Sequence, residues 1–147
     1  MIRLFTGLSL PPEIAADIAL LQGGLPGARW VEPTDFHITL QFIGNVDESL
    51  GQELHEAFTL IRKSPVEVIL EMINVFGSSK PRSVIVSARA TAGLIDLQAT
   101  LERICRRHGV DIDNRKYTPH VTLARLRSIS PGAVADFLNA RGYCLLY

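Results

Sequence analysis

Two copies of one tetrapeptide constrain this chain more than anything else in it: His37-Ile38-Thr39-Leu40, and in the second half His120-Val121-Thr122-Leu123. Each lies in a β-branched, apolar run, over 36–43 and 119–126, that reads as a strand. Side chains two apart in a strand share a face. Each copy therefore turns an imidazole and a hydroxyl to one side and sends its aliphatic pair to the other, into a core. If the halves are related by a pseudo-twofold and the strands lie side by side, two imidazoles and two hydroxyls converge.

The rest of the chain supplies elements that can frame such a pair. Residues 2–9 read as a strand that stops at Pro11-Pro12, and Pro12 suits a first helical turn, where its missing N–H is not needed. Ile14, Ile18 and Leu21 then recur at helical spacing over 13–21 until Gly23-Gly24. A second helix is expected over 50–61, with Asp47 and Glu48 at its favourable N-terminus. Residues 66–75 and 83–88 read as strands joined by the loop 77–82, a hairpin with a long tip. A third helix over 94–105 collects Arg103, Arg106, Arg107 and His108 toward Gly109, as a helix C-terminus favours. A short helix is expected over 133–138. An apolar run over 143–147 is either a last strand or the stump of a longer chain. Strands alternate with helices and no composition break divides them, so the expectation is a single α+β domain over 1–147.

Composition narrows the partners. Fifteen basic residues balance fifteen acidic ones, so bulk charge will not coat nucleic acid or anionic membrane, and any nucleic-acid contact must be local. Cys105 and Cys144 lack metal-ligand or redox-motif spacing, which fits a reducing, cytoplasmic setting. No signal peptide is legible at the N-terminus, and no apolar run approaches the roughly 20 residues that cross a bilayer. Walker A and GxGxxG stretches are absent, which removes the usual triphosphate and dinucleotide readings. His37, His55 and His120 lack zinc-site spacing, and Asp111 and Asp113 read as a solvated loop, so neither a metal nor a cofactor is expected. His55 and His108 read as surface residues.

The chemistry therefore falls on the repeated motif. One neutral imidazole can take a proton from an attacking oxygen while the other, protonated, delivers one to a leaving oxygen. Thr39 and Thr122 can donate hydrogen bonds to non-bridging phosphoryl oxygens, where charge grows in the transition state. A single His-x-Thr carries almost no specificity and usually marks a satisfied side chain; two copies at corresponding places in the halves point to metal-free phosphodiester chemistry. Arg115, Lys116, Arg125 and Arg127 flank the second copy as candidates to hold a phosphate, whereas Arg103, Arg106 and Arg107 read as a solvated helix face. Strict alternation places Arg125 on the face opposite His120, and only a bulge or the strand end would redirect it.

The chain resembles the 2H phosphoesterase superfamily, and within it the RNA 2′,3′-cyclic phosphodiesterases also called bacterial and archaeal 2′-5′ RNA ligases. The blocks that carry the resemblance are RLFTGLSLPPEI, ARWVEPTDFHITLQFIGNVDE, GSSKPRSV and, most specifically, YTPHVTLARLR. It implies a bilobal pseudo-twofold fold, with antiparallel sheets lining a central cleft and helices packed outside. It also implies metal-independent opening of a 2′,3′-cyclic phosphate to a 2′-phosphate, with His37 as general acid on the departing 3′ oxygen and His120 as base on water. Thr39 and Thr122 would hold the phosphate, and the reverse reaction would join such an end to a 5′-hydroxyl. Two departures from the family pattern stand out. Relatives commonly run about a strand pair longer at the C-terminus, so one lobe is expected to be short here. Ile85-Val86 stands where relatives often carry a tryptophan, which leaves Phe42, Trp30 and Tyr117 as candidates to stack on the base. The expected partners are RNA 2′,3′-cyclic phosphate ends or small cyclic nucleotides, handled by a monomer away from any membrane. The competing readings are a cleft that binds a nucleotide or phosphate without turning it over, a metal-dependent hydrolase with the histidines as ligands, and strands with a purely structural role.

Overall fold

The computed structural model describes residues 1–141. Its elements in chain order are β1 (Ile2–Ser9), α1 (Pro12–Ala19), β2 (Arg29–Trp30), β3 (His37–Val46), α2 (Glu48–Thr59), β4 (Leu70–Phe76), β5 (Ser83–Ala88), α3 (Ala92–Arg107), β6 (His120–Arg125) and α4 (Pro131–Ala140), with a 3-10 turn at Pro33–Asp35. The α+β class follows directly. The terminal run at 143–147, with Cys144, lies outside the described residues. No described helix is long and apolar enough to cross a membrane.

Two compact units divide the chain, each assembled from separated segments. The first comprises Met1–Leu8, Thr39–Val68 and Ala90–Thr118. There β1 runs beside β3, and α2 and α3 supply an apolar stripe each. Ile43, Val46, Leu54, Cys105, Val110 and Ile112 form one buried cluster, and Leu40, Leu94 and Leu101 another. Local chemistry sets the helix starts: the Asp47 carboxylate accepts from the Leu50 N–H, and the Thr91 hydroxyl from that of Leu94. Each satisfies one of the N–H groups a helix leaves unpaired, worth about 1 kcal/mol. The buried amide of Gln41 is also satisfied: its Oε1 accepts from Gln98 Nε2 at 3.1 Å, and its Nε2 donates to the Phe42 carbonyl.

The second unit comprises Ser9–Ile38, Ile69–Arg89 and Pro119 onward. Its strands β4, β5 and β6 are antiparallel neighbours in that order. On the free side of β6 lie β2, opposite its C-terminal end, and the start of β3, opposite its N-terminal end. Ile38, Val84, Val86, Val121, Leu123 and Ala124 are fully buried on this sheet, as are Ile18 of α1 and, nearly so, Val134 and Phe137 of α4. Arg141 closes the unit, donating from Nε to the Leu21 carbonyl and from a terminal nitrogen to that of Gly23, while its guanidinium lies 4.3 Å from the Phe137 ring.

One irregularity in β6 matters below. On β5, Ile85 pairs with Thr122 and the very next position, Val84, pairs with Ala124. Leu123 is thus an extra residue, a β-bulge, and the two bulged residues turn the same way. Both Leu123 and Ala124 are fully buried. Alternation resumes after the bulge with its parity reversed.

Several sequence expectations shift. The strand expected over 36–43 continues to Val46, passing Gly44 at φ 90°, where glycine tolerates the left-handed backbone. The strand expected from residue 66 begins at Leu70, because Val66 instead packs against the Leu40–Leu94–Leu101 cluster beside α3.

Candidate active site

The site is built on the pairing of β3 with β6. Ile38 and Val121 are direct antiparallel partners, both fully buried. Directly opposed residues in an antiparallel pair point to the same face, and their sequence neighbours to the other. His37, which opens β3, and His120 and Thr122 of β6 therefore share the face opposite the core, all half-buried. Alternation along β3 sends Thr39 to the same side of its strand as His37. The first residues of the two motifs are thus on adjacent strands.

Each imidazole is held. The Nδ1 of His37 lies 2.8 Å from the backbone carbonyl of Asp35, at the end of the 3-10 turn that Pro33 initiates. A carbonyl can only accept, so the tautomer that makes this bond carries its proton on Nδ1. His120 packs against Phe76, the last residue of β4, with ring centroids 4.6 Å apart and planes at 83°. That T-shaped contact limits how the imidazole can turn. Among the described residues, no three His, Cys, Asp or Glu side chains cluster as a metal ion would need.

The bulge at Leu123 redirects Arg125, for which strict alternation expected the far face. With parity reversed, Arg125 comes back to the side of His120 and Thr122 and is exposed there.

The aromatic candidates have different placements. Tyr117 packs against the Leu40–Leu94–Leu101 cluster, and its hydroxyl donates to the Thr39 carbonyl at 2.8 Å. Burial pushes its pKa up to about 12. The ring supports β3 from beneath through this packing and this bond. Trp30 turns toward α4, 5.8 Å from the Phe137 ring, and not to the motif face. Phe42 is half exposed, with the Arg3 guanidinium 5.1 Å from its ring centroid. His108 ends α3 as expected, its Nδ1 2.9 Å from the Ile104 carbonyl, and His55 is an exposed residue of α2. Cys105 is fully buried, and desolvation raises its pKa to about 11, which makes it an inert core thiol.

Sequence reasoning missed Phe76, the Asp35 carbonyl and the whole of β2. Phe76 closes a strand that was legible, but its approach to His120 depends on register across β5. A two-residue strand has no period to detect.

The chain matches the LigT like Phosphoesterase family over residues 8–86 and again over 86–143, each stretch holding one motif copy. It is 32% identical over 127 residues to the RNA 2′,3′-cyclic phosphodiesterase of Bacillus subtilis, covering 82% of this chain and 69% of that protein. Identity to the protein of the same name from Aeropyrum pernix is 36% over 106 residues, covering 71% of this chain and 60% of that protein. Among solved structures, E. coli LigT complexed with 3′-AMP superposes with a TM-score of 0.69 at 26% identity, over 87% of this chain and 76% of that one. With both halves matched and the fold shared, the chain belongs to the LigT-like phosphoesterase family.

Proposed function

We propose that this protein hydrolyses RNA or nucleoside 2′,3′-cyclic phosphates to 2′-phosphates by two-histidine acid–base catalysis without a metal, residues 1–147 acting as one domain. The observation that carries the reading is the antiparallel pairing of Ile38 with Val121, which turns His37 and His120 to one face of adjacent strands. His120 takes a proton from water as the water oxygen attacks phosphorus. The P–O3′ bond breaks, and Nε2 of His37 gives its proton to the departing O3′. The product carries a 2′-phosphate and a free 3′-hydroxyl. Thr39 and Thr122 donate to the non-bridging oxygens as negative charge builds there, and Arg125 adds positive charge on the same face. With a 5′-hydroxyl in place of water, the same step forms a 2′-5′ phosphodiester and needs no nucleoside triphosphate. The names of the relatives and the 3′-AMP held by E. coli LigT support this substrate class.

The test is incubation with the four nucleoside 2′,3′-cyclic monophosphates in EDTA, resolving 2′- from 3′-phosphate products. His37→Ala and His120→Ala should each lower turnover by roughly two to four orders of magnitude, the range for a positioned acid or base. Thr39→Ala and Thr122→Ala should cost less, at most about 3 kcal/mol of barrier. Unimpaired turnover in either histidine variant, or dependence on added metal, would overturn the mechanism. Nucleotide binding with no turnover by the wild type would point instead to a binding module.

A further inference from the structure

We propose that Gln22, a residue outside both motif copies, fixes the bulge of β6 and thereby the face on which Arg125 meets the reacting phosphate. It is a positioning residue for the reaction assigned above, and the proposal rests on that reading.

Gln22 follows α1, and its half-buried side chain reaches across to β6. The carboxamide nitrogen carries two hydrogens, and both are used. Nε2 donates to the Val31 carbonyl at 2.8 Å and to the Leu123 carbonyl at 3.0 Å. The Leu123 carbonyl also accepts from the Val31 N–H at 2.8 Å, so both of its lone pairs are engaged. Leu123 is itself the extra residue of the bulge and is fully buried. The Gln22 amide thus ties the irregular position of β6 to the chain just beyond β2.

The backbone that carries Gln22 is held in its turn. The Arg141 guanidinium donates to the carbonyls of Leu21 and Gly23, the residues on either side. The Gln22 N–H donates to the Ala19 carbonyl at 3.1 Å. The donor that meets Leu123 is therefore set on a fixed base.

What the tie decides is which way two side chains turn. With the bulge, Ala124 is buried and Arg125 is exposed on the side of His120 and Thr122. The same residues in regular alternation would exchange the two and carry the guanidinium to the apolar side. Burial of an unpaired guanidinium is costly, so a strand end that loses the tie loosens instead of flipping. Arg125 is then in place for only part of the time, and the apparent affinity for the phosphate falls with that fraction.

The experiment is a double-mutant cycle on kcat/KM for a nucleoside 2′,3′-cyclic phosphate. Gln22→Met keeps the length of the side chain and removes both donors, and should lose about tenfold, the scale of lost hydrogen bonds to backbone. Gln22→Glu, which sets acceptors against two carbonyls, should lose at least as much. Arg125→Ala should lose roughly tenfold to a hundredfold. On that background Gln22→Met should cost less than about twofold, because the group it aims is gone. A full tenfold loss there, or no loss from either Gln22 variant, would overturn the proposal. Val134→Ala removes buried packing elsewhere in the same unit and should lower Tm with kcat/KM unchanged; an equal loss of kcat/KM would reduce Gln22 to a general structural role.

A binding arm separates this from the reaction assignment. The NMR signal of the Arg125 Nε–H group is followed as inorganic phosphate is added to the wild type and to Gln22→Met. The wild type should show a saturable shift, and the variant should need about tenfold more phosphate for it. An equal response with and without Gln22, or none at Arg125 in the wild type, would refute the positioning role whatever the turnover result. Failure of the wild type to open any cyclic phosphate would sink the reaction while leaving this comparison decisive.

Discussion

His37 and His120 are steadied by different means, and the difference is testable. His37 is tied through Nδ1 to a backbone carbonyl two residues away, so its orientation is set locally by the 3-10 turn. His120 depends on Phe76, which reaches it from two strands away. Phe76 acts on the site through the ring of His120, as a positioning residue would. Phe76→Ala should lower kcat by roughly tenfold to a hundredfold, the cost of misplacing a reacting group by about an ångström, with KM little changed, and Phe76→Tyr should restore most of it. A loss confined to KM would show that the ring contacts the substrate. The motif residues were legible because repetition announces them. Arg125 was legible as a candidate beside the second motif copy, but its face was not, since a bulge leaves no mark in the run Val121–Ala124. That the Tyr117 hydroxyl donates to the Thr39 carbonyl is likewise invisible in the sequence, because the partner lies far away along the chain.

Among the elements, the long helices and strands were readable from their periods and caps, and the short ones were not. The hairpin of β4 and β5 and the helices α2 and α3 lie where 3.6-residue and two-residue patterns place them, whereas β2 and the 3-10 turn exist only through partners distant in sequence. The helix α3 and the strut at Tyr117 also set the alkaline limit of their unit. Burial raises the pKa of Cys105 from 9.0 to about 11 and that of Tyr117 from 10.0 to about 12. In each case the unfolded chain releases its proton first, so the stabilising contribution is intact below the unfolded value and lost as pH rises toward the folded one. Unfolding free energy should therefore decline between about pH 9 and 12. Replacing Cys105 by Ala should remove the part of the slope between pH 9 and 11, and Tyr117→Phe the part above 10. Denaturant titrations at a series of pH values read both, and a slope unchanged in both variants would assign the alkaline loss elsewhere.

For the molecule as a whole, charge balance is the governing fact. Fifteen positive and fifteen negative side chains leave no net field to gather RNA, so affinity must come from the few cations on the motif face. Binding of a 2′-phosphorylated oligonucleotide should follow salt with a log–log slope between about −1 and −2, that of a few phosphate contacts. Lengthening the RNA beyond its second phosphate should leave the slope unchanged, and a slope that steepens with each added nucleotide would reveal an extended track. The division into two compact units was only half visible in the sequence. The paired motifs suggested two halves, yet each unit is stitched from separated segments, and the boundary in the first motif falls between Ile38 and Thr39, inside one tetrapeptide. No local pattern can announce a boundary that non-local pairing decides.

The extra residue at Leu123 carries a lesson about counting. A count from His120 misplaces Arg125, because its face is decided by its register on β5 and β2. Delete that one leucine and regular alternation leaves Ala124 inside and Arg125 outside as before, whereas keeping the leucine and losing the bulge would exchange the two. Insertions and deletions, which point-substitution scans never sample, are therefore the changes that would show how firmly this end of β6 holds its register.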